Sequence, residues 1–348
     1  MKKIYDCDEK FILVNKLIGL EKIQNASQNL SGVVINSAFE KAESYSAIYH
    51  SNIFFKREDL QKVRSFKIRG AYNKIISLRA DEVKNGIVCA SAGNHAQGFA
   101  VSCEMLGYKG KVFMPVTTPN QKINQVKKFG KKNIEVVLIG ENFSQAYHEA
   151  KKDCKINNKT FIHPFDDLKV IEGQATVFLE ILNHHDKMID YLFVPIGGGG
   201  LISGAINVFK QLSPQTKIIG IEPLGAPSML KSIQQNQLVT LEKINAFVDG
   251  AAVKKVGTYS FNFCKNYLDE VILVDEGEIC KSILDLKKIE GITAEPAGAM
   301  STAALRQFKN EIFNKNVVCL ICGGNNDELR MPEIRMRAKE WMTNNPDL

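Results

Sequence analysis

The chain has 348 residues, 45% hydrophobic and 24% charged, proportions of an ordinary folded protein that exclude disorder, collagen and coiled coil. Lysine and arginine total 45 against 38 acids, a net charge of +7, but the basic residues are interspersed with acids and the longest basic clusters are only pairs such as Lys127-Lys128 and Lys131-Lys132, so no nucleic-acid groove is indicated. Acids within the first ten residues stand where a leader needs apolar ones, and no apolar run approaches ~18 residues, so a cytoplasmic protein without a membrane span is expected.

In chain order, short β-branched apolar runs at 53–55, 87–89, 112–114, 134–138, 191–194, 218–221, 271–274 and 317–321 alternate with helix-like stretches. That alternation predicts an α/β protein with largely parallel strands, and there are more runs than one small sheet needs. No repeat, low-complexity tract or linker marks a boundary. The cysteines lie mostly inside apolar runs, which suits reduced, buried thiols. Cys319 and Cys322 have metal-like spacing, but they lack a second pair and fall in a β-like run, so neither zinc nor thioredoxin-like chemistry is expected.

Parallel sheets bind ligands beyond the carboxyl ends of their strands, so chemistry should collect just after the apolar runs. Before the first such loop, Ile68, Ala71, Tyr72, Ile75 and Ile76 follow helical spacing, with Ser65 placed to cap, which puts Lys67 in the first helical turn beside Phe66. An apolar neighbour can depress a lysine's pKa, as a lysine that bonds a carbonyl requires, although a lone lysine is ordinarily a solvated side chain. After the run 87–90 comes Ser91-Ala92-Gly93-Asn94-His95. After 192–196 comes Gly197-Gly198-Gly199-Gly200-Leu201, where four glycines before a helical stretch let backbone amides close on an anion. The alternative is a tight turn with no ligand. A dinucleotide motif fails because Ile202 and Ser203 stand where glycine is needed, and no P-loop Gly-Lys-Ser/Thr occurs, so a phosphorylated cofactor that is not a nucleotide moves up. Glu222-Pro223 and Cys322-Gly323-Gly324-Asn325 close two further strands.

Together, 56–61 with Ser65-Phe66-Lys67-Ile68-Arg69-Gly70-Ala71, the loop 91–98, the tetraglycine 197–200, Glu295-Pro296-Ala297-Gly298-Ala299 and 322–325 resemble the threonine/serine dehydratases of the fold-type II pyridoxal-phosphate enzymes, from about residue 50 to about 340. The stretches 225–229, 247–253 and 325–327 followed by 333–338 resemble the short biosynthetic branch of that family. The resemblance implies a tryptophan synthase β-like fold of two three-layer α/β domains: a smaller one at 61–164 inserted into a larger one built from 1–60 and 165–330, with 331–348 a tail and no regulatory domain. Pyridoxal 5'-phosphate is the implied cofactor.

Carried over by residue, the resemblance makes Lys67 the catalytic lysine that holds the cofactor and takes the substrate's α-proton. Phe66 packs near the ring, Asn94 bonds its phenolic oxygen, and Glu295 belongs to the cofactor site. Gly197, Gly198, Gly199, Gly200 and Leu201 hold the phosphate. Cys322 faces the pyridine nitrogen, where a neutral thiol favours β-elimination over transamination. Ser91, Ala92, Gly93, Asn94 and His95 grip the substrate carboxylate; His95 either orients that loop or moves a proton. His163, His184 and His185 read as packing or surface residues. Ala92 stands where racemases of this fold carry an acid/base serine, so efficient racemisation is not expected. Glu222 and Ala226 match a cation site whose aspartate is Ser228 here, so weak or no metal binding is expected. The family's Thr-Pro-Leu is replaced by Asn36-Ser37-Ala38-Phe39. The implied activity is conversion of L-threonine to 2-oxobutanoate and ammonia, toward isoleucine, with L-serine slower and no inhibition by isoleucine. The rivals are serine or threo-3-hydroxyaspartate dehydration and a silent ligand-binding relative. The implied partners are a small amino acid and further copies of the chain, as a homodimer or homotetramer.

Overall fold

A computed structural model describes residues 16–184 and 187–346. The first ten residues with their acids, His185 and the last two residues lie outside the described residues. The protein is α/β, with ten strands in two sheets among the described residues: β1 (Phe39–Lys41), β2 (Asn52–Arg57), β3 (Ile87–Ala90), β4 (Gly110–Met114), β5 (Ile134–Leu138), β6 (Thr160–Phe161), β7 (Tyr191–Pro195), β8 (Lys217–Pro223), β9 (Glu270–Val274) and β10 (Asn316–Ile321). The six-stranded sheet runs β1-β2-β10-β7-β8-β9 and the four-stranded sheet β5-β4-β3-β6. All neighbours are parallel except the edge pair of β1 with β2.

The eight apolar runs all fall on strands, while β1 and β6 carry no such run. The small sheet shows why the runs are continuous rather than alternating. Side chains of a strand point to opposite faces in turn, and here both faces are covered. Ile87, Cys89, Val112 and Met114 pack with Phe99, Ala100 and Cys103 of the helix Asn94–Leu106 and with Ile123 and Val126 of the helix Asn120–Gly130. Val88, Ala90 and Phe113 pack on the other face with Ala146 and Ala150 of the helix Phe143–Asn157. The large sheet is buried in one extensive core that includes Phe55, Phe193, Ile219 and Val318. Among the described residues the cysteines are unpaired, six of the seven buried, and no helix is long and apolar enough to cross a membrane.

Between the two sheets runs the helix Lys67–Ile76. It crosses its neighbours closely: a Cβ at Gly173 would stand 2.5 Å from the Arg69 carbonyl oxygen, and one at Gly98 would stand 2.9 Å from that of Lys67. Glycine is the residue that permits such backbone approach. One expectation is corrected here, because Ser65 does not cap this helix: Phe66 is the N-cap residue, no side-chain cap bond forms, and the Ser65 hydroxyl is buried without a partner. The reason lies in the backbone. Ser65 forms an antiparallel bridge with Gly323, and Phe66 N donates to the Cys322 carbonyl at 3.2 Å, which turns the serine away from the helix axis. The segment that replaces Thr-Pro-Leu packs well, with Ser37 Oγ donating to Glu58 at 2.6 Å and its carbonyl accepting from Lys56 at 2.7 Å.

Candidate active site

The bridge from Ser65 and Phe66 to Cys322 and Gly323 joins the start of the Lys67 helix to the end of β10. Lys67 and Cys322, 255 residues apart in sequence, therefore share one cleft, whose walls include Phe66, Phe165, the four glycines 197–200, Leu201, Gly250, Ala251 and Ala297. Lys67 Nζ donates to the Pro164 carbonyl at 3.1 Å and lies 5.1 Å from the centroid of the Phe66 ring. Burial lowers its pKa to about 8 against the opposing pull of Cys322 and Glu295, so an appreciable share of the amine is neutral near physiological pH.

The four glycines connect β7 to the helix Gly200–Leu212. Gly199 has φ +92°, in the region where side chains are strained, and a Cβ at Gly198 would stand 2.2 Å from the Phe165 ring. The turn thus presents backbone amides, together with the unpaired first amides of the helix, to the cleft. Beside it, the buried hydroxyl of Ser260 has no partner, and its oxygen would stand 2.9 Å from a Cβ at Gly199.

Across the cleft, Asn94 opens its helix after the N-cap Gly93. Its Nδ2 donates to Glu295 Oε1 at 2.6 Å and its Oδ1 accepts from Asn325 at 2.7 Å. Burial, then the Asp249 charge, pushes Glu295 up to about 7 despite the Asn94 bond. The Cys322 thiol is raised well above its ordinary range by burial and donates to the Ala297 carbonyl at 3.3 Å, so it is a neutral group. Ser91 Oγ accepts from Gly93 N at 3.2 Å, and Ala92 packs on the small-sheet core. The His95 ring is buried and turned away, its Nε2 donating to the Ile162 carbonyl at 3.1 Å. Burial and the nearby Lys67 lower its pKa to about 3, so the imidazole is neutral and its contribution to the loop is a backbone amide.

Glu222 is the next-to-last residue of β8 and accepts from Met229 N at 2.7 Å and Leu230 N at 2.8 Å; its carboxylate is occupied by these amides. His184 Nδ1 bonds the Glu180 carbonyl at 2.7 Å on the surface. Phe165 in the wall, and Pro164 and Ser260 beside it, escaped the sequence pattern, while Gly250, Ala251 and Ala297 fall in stretches that carry the resemblance without having been assigned to the site. The signal for Pro164 and Phe165 was positional, since they follow a strand, but β6 has two residues and no apolar run to announce it.

The family model described as "Pyridoxal-phosphate dependent enzyme" matches residues 30–323. Among curated proteins, the chain is 53% identical over 321 residues to the L-threonine dehydratase biosynthetic IlvA of Halalkalibacterium halodurans, covering 92% of this chain and 77% of that one. It is 50% identical over 324 residues to the protein of the same name from Bacillus subtilis, covering 93% and 77%. Among solved structures, the processed form of threonine deaminase isoform 2 from Solanum lycopersicum superposes with a TM-score of 0.87 at 37% identity, covering 94% of this chain and 93% of that one. Maize serine racemase superposes with a TM-score of 0.85 at 28% identity, covering 94% and 100%.

Proposed function

Because the chain belongs to the pyridoxal-phosphate-dependent enzyme family, we propose that its cleft converts L-threonine to 2-oxobutanoate and ammonia, with L-serine as a slower substrate. The reading rests on likeness to relatives named L-threonine dehydratase at about 50% identity and, within the molecule, on one observation: a lysine with a pKa lowered to about 8 opposite a four-glycine turn. The residues fit the cofactor. The glycine turn is a cradle that Phe165 would not share with a Cβ at Gly198, the Ser260 hydroxyl beside it lacks a partner, and the neutral Cys322 thiol suits an unprotonated pyridine nitrogen.

Pyridoxal phosphate, when bound, supplies an electron sink for charge released at the substrate's α-carbon. Every other part of the task falls to this chain. Gly197, Gly198, Gly199, Gly200 and Leu201 would hold the phosphate through backbone amides at a helix N-terminus. Phe66 and Cys322 would bound the ring, and Asn94, itself held by Glu295 and Asn325, would bond the phenolic oxygen. The amides at the start of the helix Asn94–Leu106, with the Ser91 hydroxyl, take the substrate carboxylate. Lys67 Nζ would remove the α-proton, and a pKa lowered to about 8 suits a base at neutral pH. The β-hydroxyl departs with a proton as water, and the unsaturated amine released afterwards hydrolyses to the 2-oxo acid and ammonia.

The same reading divides the chain into a smaller domain at 61–164 inserted in a larger one at 1–60 and 165–330, and makes the protein a cytoplasmic homodimer or homotetramer that supplies the first step toward isoleucine. The test is a visible spectrum of the purified protein followed by keto-acid detection with L-threonine, L-serine and threo-3-hydroxyaspartate. The reading expects fastest release from threonine and none from Lys67→Ala. A bound-cofactor band without keto acid from threonine overturns it.

A further inference from the structure

The chain that leaves β6 and enters the helix Leu168–His184 touches the cleft at each step. The Ile162 carbonyl accepts from His95 Nε2 at 3.1 Å, behind the carboxylate loop. The Pro164 carbonyl accepts from Lys67 Nζ at 3.1 Å. The Phe165 ring lies against Gly198 and its carbonyl against Gly200. Asp166 Oδ1 accepts from Tyr259 N at 2.9 Å, next to the Ser260 hydroxyl. At the centre of this turn is His163, whose Nδ1 accepts from Asp166 N at 2.8 Å and Phe165 N at 3.3 Å.

Two amides converging on one ring nitrogen define its state, because an imidazole nitrogen accepts only while unprotonated. The surroundings favour that form. The ring stands edge-on to Phe165, with centroids 4.7 Å apart, and to Phe161 and Tyr147 at 6.1 and 6.3 Å. Burial lowers its pKa to about 4; Asp166 and Asp167 oppose the shift, while Lys151 and Lys67 reinforce it. A histidine that only filled space would not need this geometry.

We propose that His163 is a positioning residue for Lys67: its neutral Nδ1 holds the turn that aims the Pro164 carbonyl at the lysine nitrogen and the Phe165 ring at the glycine cradle. The inference rests on the dehydratase reading for its meaning in turnover. While Lys67 is free of the cofactor and carries a proton, the Pro164 oxygen is its acceptor, so the lysine is parked in the cleft rather than swinging within it. Charged or titratable groups facing Lys67 are Cys322 and Glu295, which favour its ammonium form, and the two neutral imidazoles of His95 and His163.

The test compares His163→Phe, which matches the aromatic surroundings and lacks the acceptor, with His163→Asn, whose Oδ1 can replace Nδ1. Lysine amines of the full chain, stripped of cofactor, are labelled competitively across pH, and the Lys67 peptide is quantified by mass spectrometry. Loss of the Pro164 acceptor destabilises the ammonium, so His163→Phe is expected to lower the Lys67 midpoint by about one pH unit. His163→Asn should keep it at the wild-type value. With threonine, His163→Phe should reduce kcat about tenfold and leave KM within about twofold. His163→Tyr serves the same comparison if the Phe variant does not fold. An unchanged Lys67 midpoint in a folded variant lacking the acceptor overturns the proposal, as does an equal shift in His163→Asn. Labelling reads the lysine without turnover, so a wild-type protein inactive on threonine would sink the functional reading and leave this comparison intact.

Discussion

Replacing Arg69 by Met should cost the protein more than any change on its surface, and the structure sets the scale. Arg69 lies two residues beyond Lys67 in the same helix, with its side chain and that of Glu58 fully buried. Its guanidinium donates to both Glu58 oxygens at 2.8 Å, and to Glu180 Oε1 at 2.6 Å and Oε2 at 2.9 Å. Lys56, also buried, completes the group with Glu180 at 2.6 Å. Two cations thus balance two anions. Burial alone would push Glu58 toward protonation, but Arg69, with Ser37 and Lys56, holds its carboxyl below the usual range. Removing the guanidinium leaves a buried carboxylate unpaired, a loss of about 3–5 kcal/mol. At about 2.1 cal/mol/K of unfolding entropy per residue, that lowers Tm by roughly 4–7 °C for a chain of this length. Differential scanning calorimetry of the loaded protein measures it. Without Arg69, Glu58 has a raised folded pKa, so its penalty applies above the unfolded value near 4.3 and fades as pH falls; the deficit should be smaller at pH 5 than at pH 7. The double variant Arg69→Met with Glu58→Gln restores charge balance and should melt above the single variant. A drop below about 1 °C, or a double variant no more stable than the single one, refutes the reasoning.

Lys67 must be neutral to bond an aldehyde, so the rate at which the stripped chain regains its visible cofactor absorption should rise with pH through about 8; a midpoint near 10 would mean that burial does not depress the amine. Gly198→Ala puts a Cβ 2.2 Å from the Phe165 ring, an overpacking of about 1–3 kcal/mol. It should weaken pyridoxal phosphate binding about tenfold, and Phe165→Ala in the same chain should recover part of the loss; unchanged affinity in an equilibrium titration removes the steric argument. Asp249 joins Lys122, on a small-sheet helix, at 2.6 Å and Arg330 at 3.5 Å, with 44% of its side chain exposed. Such a pair contributes ~0.2–1 kcal/mol and is screened by salt. Lys122→Met should therefore lower stability in a denaturant titration by no more than about 1 kcal/mol at low salt and by roughly half as much in 0.5 M salt, because the 2.6 Å separation lies inside a Debye length of about 4 Å; a salt-independent effect would mean that the lysine acts by contact instead.

What was legible in the sequence follows from what each feature needs of its neighbours. Strands covered on both faces carry continuous apolar runs, so β2 to β4, β7, β8 and β10 stand out, while the partly exposed edge strands β5 and β9 keep runs long enough to read. By contrast, β1 is three residues with Glu40 and Lys41 exposed, and β6 is two residues; neither has room for a pattern. Missing β6 hid the turn after it, and with it Pro164 and Phe165. The glycine run and the lysine at a helix start were visible because their chemistry is backbone and local. Asn94 and Cys322 came from resemblance, since nothing within either loop states that Asn94 meets Glu295 across 201 positions. The failed Ser65 cap shares that cause. A serine ahead of a helix has two competing partners, its own amides and a distant strand end, and the local pattern weighs only the first. Here the distant partner, Cys322-Gly323, prevails through the bridge of Ser65 with Gly323 and the bond from Phe66 N to the Cys322 carbonyl. The departure from local preference thus lies where the two halves of the site are joined, and the orphaned Ser65 hydroxyl marks the join.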